Sequence, residues 1–143
     1  MKLNEDAWKM FQEHLGYTDE EMEAFKKDPR NVDVLSKTDA LLSKTFVAEV
    51  VEAHGCDSGH KVGDKFYIGG HGNLLTKKCP NKVCLFALMP LAASINTMNE
   101  LIYAGVDPNE MRFRRVGCSD VGLKCGGWGH IVMELRAEER VRA

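Results

Sequence analysis

Glycine is unevenly spread along this chain, and the unevenness limits what the chain can become. Of its 13 glycines only Gly16 precedes residue 55; the rest lie from Gly55 onward. Glycine supplies the positive φ angles and close backbone approaches of tight turns, and it weakens helix interiors. The first 44 residues therefore read as a helical arm, and residues 45–143 as a turn-rich α+β core domain. With 143 residues, 44% of them hydrophobic, the chain can bury one real core with the arm as an appendage.

Within the arm, Asn4 can cap a helix carrying Trp8, Met10, Phe11 and Leu15, and Gly16 suits its end. Thr18 followed by Glu21 makes a capping box for a second helix over Met22 and Phe25, which Asp28-Pro29 stops. A third short helix is expected within residues 31–44, around Thr38 or Asp39. Trp8, Phe11 and Phe25 are large for so small an arm. They predict an apolar stripe that packs on a partner or on a second copy of the chain.

From Thr45 the texture changes. The run FVAEVV is rich in β-branched residues and is closed by Gly55, which predicts a strand. Residues Asp64 to Ile68 predict a second strand, and the alternation in Arg112 to Cys118 and in His130 to Arg136 predicts two more. Asn81 to Ala104 is the longest helical pattern; Pro90 should kink it or begin a second helix, and Gly105 should end it. The expected fold is α+β: a small, mainly antiparallel sheet covered by one long helical segment, preceded by the arm. The uncharged run Val83 to Ala93 falls short of the roughly 20 residues that span a bilayer, so it reads as a buried core segment.

Net charge is -2, which leaves no electrostatic footprint for nucleic acid or an anionic membrane. The opening MKLNEDAWKMF carries charge at once and lacks the apolar stretch of a secretory signal, so a cytoplasmic protein is expected. Five cysteines are many for a reducing compartment, where structural disulfides rarely persist. Metal binding, redox work and plain burial are the remaining uses.

Three of the thiols fall at element boundaries. Cys56 precedes a glycine-rich turn, Cys84 opens the long helix and Cys118 ends a strand. In a small sheet-and-helix domain such ends can converge at one edge. His60, four residues after Cys56, would complete a Cys3His set of the kind that holds zinc, although only Cys79 and Cys84 have the close spacing of zinc knuckles. The plainer reading of Cys84, between Val83 and Leu85, is a small packed hydrophobe. Cys118, followed by Ser119 and Asp120, would sit on an exposed turn as a nucleophile, with His60 or Asp120 assisting proton transfer; the same residues also make ordinary turn chemistry. His60, Lys61 and Asp64 offer a base, a cation and an orienting carboxylate, or simply a solvated turn. His54, His71 and His130 carry no claim alone, and Trp128 in CGGWG is expected to tuck back as an apolar plug. Dinucleotide, Walker, zinc-protease and esterase motifs are absent from the sequence.

The stretches C-x2-G-H-K-x-G-D-x-F at Cys56 to Phe66, C-x-x-A-L at Cys84 to Leu88 and C-S-D-x-G at Cys118 to Gly122 together resemble a family of small uncharacterised prokaryotic proteins. The likeness covers roughly Phe46 to Arg136. It implies a compact α+β domain in which Cys56, Cys84 and Cys118 belong together, while Cys79 and Cys125 are peculiar to this chain. The family has a proline-containing extension where this chain has LKCGGWG, and it supplies no activity.

The leading expectation is a cytosolic protein in which Cys56, Cys84 and Cys118, with His60, hold zinc or a small iron-sulfur cluster and serve an anaerobic redox enzyme. The alternatives are a small thiol-dependent enzyme with Cys118 as nucleophile, and an interaction subunit or homo-oligomer that uses the arm.

Overall fold

The computed structural model describes residues 2–140 and divides at Ala40/Leu41 into two compact units. In the first unit, α1 (Glu5–Leu15) begins at Asn4, whose side chain accepts from the Ala7 N–H, and ends at Gly16 in the left-handed conformation, φ 70°. The capping box at Thr18 opens α2 (Asp19–Lys27), with Thr18 and Glu21 each satisfying the other's backbone N–H. Asp28 closes α2 and at the same time caps α3 (Pro29–Ser36), accepting from Arg30 N–H with Pro29 at the first position. The expected third helix thus resolves into α3 and a short α4 (Thr38–Leu42) that spans the division. Phe25 gathers Phe11, Tyr17 and Trp8 at centroid separations of 4.9, 6.2 and 6.5 Å. These rings pack on one another and are half-buried rather than forming a bare stripe.

The second unit is built on a four-stranded antiparallel sheet of order β2-β1-β4-β3: β1 (Lys44–His54), β2 (Lys65–Gly69), β3 (Arg115–Gly117) and β4 (His130–Glu139). The α+β architecture is therefore as expected. The long strands β1 and β4 pair along their whole length, with Phe46 opposite Ala137 and His54 opposite His130; the register shifts between Val50 and Glu52. A shift of this kind inserts one residue into one strand and bends it. It lies near the end of β1 that delivers Cys56.

One face of the sheet is covered by α5 (Leu85–Tyr103). Ala87, Leu91, Ile95, Met98 and Ile102 repeat at helical spacing and are buried against Phe46, Ala48, Val50, Phe66, Ile131, Met133 and Leu135. Each such aliphatic side chain contributes about 2 kcal/mol on burial. By length and composition α5 is also long and apolar enough to cross a membrane, but here that one stripe forms the core. The expected burial of the whole run Val83 to Ala93 is not observed: Ala87 and Leu91 are buried, whereas Leu85, Phe86 and Met89 are exposed. A helix on one face of a sheet can bury only the stripe that meets it.

Two deviations from expectation have local causes. The helix starts at Leu85 rather than Asn81, because Pro80 and the turn before it direct the chain along β2. There Cys79 Sγ accepts the Tyr67 N–H at 3.3 Å and lies 3.7 Å from the Tyr67 carbonyl. Pro90 neither ends nor splits α5. Lacking an N–H, it leaves the Phe86 carbonyl without its helical donor, and that oxygen instead accepts from Ser119 N–H and Oγ at 3.0 and 3.2 Å. The proline thereby fastens the loop after β3 to the first turn of the helix. β3 itself is shorter than expected, beginning at Arg115. Beyond it Asn109 takes over the edge of β4, exchanging two hydrogen bonds of 2.9 Å with the Ala137 backbone.

Candidate functional site

Where the ends of β1 and β3, the start of β4 and the N-terminus of α5 come together, a cavity of about 350 Å³ opens. Its lining includes Cys56, His60, Cys84, Cys118, Asp120 and His130, with Asp57, Ser58, Phe86 and Ile131. Cys56, His60, Cys84, Cys118 and Asp120 therefore border one space, whereas Lys61 and Asp64 are not among its lining residues. Four segments far apart in sequence each contribute.

Cys118 is held most firmly. Its backbone pairs with Ile131, and its sulfur accepts the Ile131 N–H at 3.4 Å. It also lies 3.6 Å from the Asp120 carbonyl and 3.5 Å from Nδ1 of His130. That Nδ1 is hydrogen-bonded to the same Asp120 carbonyl. A carbonyl only accepts, so Nδ1 carries the proton and donates, leaving the lone pair on Nε2. His130 cannot take a proton from Cys118 through the nitrogen beside it. The thiol is half-buried, not on the exposed turn expected from GCSD.

Asp120, expected to assist proton transfer, shapes the loop. Its carboxylate accepts from the N–H groups of Gly122, Trp128 and Gly129 at 3.0, 3.1 and 3.1 Å. The bonds from Gly122 and Gly129, then that from Trp128, hold it below the ordinary value of 3.8 against a smaller desolvation cost. A Cβ at Gly127 would stand 2.1 Å from Asp120 Oδ1, so only glycine lets the chain wrap the carboxylate this closely. Wrapping exposes what it cannot bury: Trp128 is 78% exposed, in place of the expected plug. Cys125, ending a 3-10 turn over Leu123–Cys125, is exposed and is not among the cavity-lining residues.

The corner with His60 differs. The His60 side chain is 2% exposed and sits edge-on to Phe66 with centroids 5.0 Å apart. Nδ1 is 3.7 Å from an Asp64 carboxylate oxygen, which also accepts the Lys61 N–H. Nε2 is buried without a hydrogen-bond partner among the described residues. An unpaired buried polar atom costs about 1–3 kcal/mol, so such atoms mark sites that a ligand completes.

Cys84 is the N-cap residue of α5, with extended backbone, φ -75° and ψ 124°. Burial pushes its thiol up, and Asp57 opposes ionisation a little. The Ser58 hydroxyl and the N–H groups of Ala87 and Phe86 outweigh both and leave it below its ordinary value of 9.0. Its side chain makes no capping hydrogen bond; the Ala87 and Phe86 N–H groups belong to the first helical turn, whose field favours an anion, and Ser58 adds a donor from outside the helix. Cys84 also packs against the core cluster, as the plainer reading expected; its place at the helix start was legible in the sequence, whereas the donor from Ser58 was not. Ser58 and Asp57 were missed. The signal available was their place in the same turn as Cys56 and His60.

Asp57 and Asp120 line the cavity and, among the described residues, no lysine or arginine does, so its field suits a neutral or cationic guest. The donor set of three thiols and one orphaned imidazole fits a soft metal ion. The thiols border the space rather than meeting at a point: among the described residues, no three His, Cys, Asp or Glu side chains are grouped closely enough to hold a metal ion. No protein-family model, curated protein or solved structure matches the chain.

Proposed function

We propose that this is a cytoplasmic metal-binding protein that holds zinc or a small iron-sulfur cluster through Cys56, Cys84, Cys118 and His60. The observation that carries the reading is a single cavity bordered by all three thiols and by a buried imidazole whose Nε2 has no partner. The carboxylate behind Nδ1 of His60 resembles the outer partner that orients metal-bound histidines. The two aspartates, with no lysine or arginine among the described lining residues, favour a cation. Binding requires the thiols to be drawn inward, since zinc–sulfur bonds are about 2.3 Å. A cluster, being several atoms across, demands less movement. The bound group would supply Lewis acidity or an electron; Cys118 and His60 would fix it from two sides.

The mouth supports a role alongside a larger redox enzyme or a second copy of the chain. Leu85 and Phe86 border the cavity while remaining 64% and 59% exposed, a surface better suited to a protein partner than to water. Metal and acid-labile sulfide analysis of anaerobically purified protein is the test. Near-stoichiometric zinc or iron, lost together in Cys56→Ser, Cys84→Ser and Cys118→Ser, is the expected result. Metal-free protein that binds neither zinc nor reconstituted cluster removes the reading.

A second reading, a thiol-dependent enzyme, is favoured by the place of Cys84 at the start of a 19-residue helix. In that case the nucleophile is Cys84, at the helix start, or Cys118, the thiol expected from the sequence, which borders the same cavity.

A further inference from the structure

Two buried side-chain atoms have no hydrogen-bond partner among the described residues: Nε2 of His60 and Oδ1 of Asn99. The first borders the thiol cavity. The second belongs to Asn99, a residue that lines a separate cavity of about 290 Å³ between the flank of α5 and the segment following β2. Leu88, Leu91, Ala92, Ile95, Asn96 and Asn99 of α5 line it at helical spacing, and Ile68, Gly72 and Leu74 line it as well. Its wall is thus almost wholly aliphatic, with polar groups supplied by two asparagines one turn apart.

Several N–H groups of the backbone beside it are already engaged: Gly69 N–H donates to the Asn73 carbonyl, Leu75 N–H to Tyr67 and Gly72 N–H to Gly69, each at 2.8 Å. An apolar space of this size with a single unsatisfied acceptor at its edge has the composition of a small-molecule site, and an acceptor left unpaired there costs free energy that a guest's donor recovers.

We propose that this second cavity binds a small, largely apolar molecule carrying one hydroxyl group, with the hydrocarbon against Leu88, Leu91 and Ile95 and the hydroxyl on the Asn99 amide. A hydroxyl both donates and accepts, so it satisfies the amide in either orientation of its oxygen and nitrogen. A carboxylate or ammonium would lose its hydration with no opposite charge on this wall to replace it. The site is independent of the thiol cavity and of any metal there.

The test uses benzyl alcohol and toluene as probes on the whole chain, followed by NMR titration. Saturable shifts in the amide and methyl signals of Ile68, Leu74, Ile95 and Asn99 are expected with both. Asn99→Leu should weaken benzyl alcohol at least about fivefold while leaving toluene unchanged or tighter, because only the alcohol uses the amide. Ala92→Trp, at an exposed helical position on the rim, should abolish binding of both and preserve the folded spectrum. Absence of saturable binding, shifts centred elsewhere, or equal weakening of both probes by Asn99→Leu would each overturn the assignment.

Discussion

Two regions border the thiol cavity, and they differ in how completely their polar atoms are satisfied. Around Cys118, the Asp120 carboxylate takes three backbone N–H groups, the Asp120 carbonyl takes Nδ1 of His130, and the sulfur takes the Ile131 N–H. Around Cys84 and His60, a buried ring nitrogen has no partner and a thiol lies in the field of a helix start. The first region has its polar atoms paired and the second keeps one unpaired. Sites that keep an unsatisfied group at the expense of stability are the ones function maintains.

That contrast can be broken most severely at the frame both regions share. A Cβ at Gly129 would stand 2.0 Å from the Gly55 carbonyl oxygen, a separation no relaxation of one side chain can relieve. Gly129→Ala should therefore cost about 4 kcal/mol in denaturant unfolding and disturb both regions at once. Next in size is Asp120→Asn, which removes the carboxylate from its ring of donors and should lower Tm without touching metal uptake by His60 and Cys84. The sign with pH follows from the depressed folded value: the carboxylate's contribution is fully present above the ordinary 3.8 and is lost as pH falls through the folded value. Wild type and variant should thus differ in Tm at neutral pH, and the difference should begin to shrink only as pH falls below 3.8, vanishing beneath the lower folded value. Equal separation at all pH would mean that the charge is irrelevant to the loop.

On the unsatisfied side the direction reverses. His60→Leu removes a buried orphan atom and keeps apolar contact with Phe66, so it should raise stability of the metal-free protein by about 1 kcal/mol while weakening zinc binding at least tenfold. Destabilisation with unchanged metal affinity would show His60 to be ordinary core. The smallest effect is expected from Ser58→Ala. Losing the hydroxyl that favours the Cys84 thiolate should slow iodoacetamide labelling of Cys84 about two- to threefold near neutral pH, with Cys125 as the internal standard. Identical labelling ratios would place the activation in the helix start alone.

Much of the frame was legible in the chain. Asn4, Gly16 and the Thr18–Glu21 box act where their side chains predict, because caps are local chemistry. The four strands and the long helix follow from alternation and periodicity. The meeting of Cys56, Cys84 and Cys118 at one cavity could be anticipated because each falls at an element end. What escaped the sequence is nonlocal. Asp120 reads as a turn acid until Trp128 and Gly129 return to it, and the aliphatic run Val83 to Ala93 reads as core until α5 is seen to meet the sheet on one side only. The lowering at Cys84 depends in part on Ser58, 26 positions before it, a distance over which spacing says nothing.

Pro90 has a further consequence. By withholding one donor from its own helix it releases the Phe86 oxygen to Ser119, so a single atom joins the stretch that carries Cys84 to the stretch that carries Cys118. Those two sulfurs are coupled mechanically: any outward drift of one strains the tether to the other, and the opening between them can widen only if both yield together.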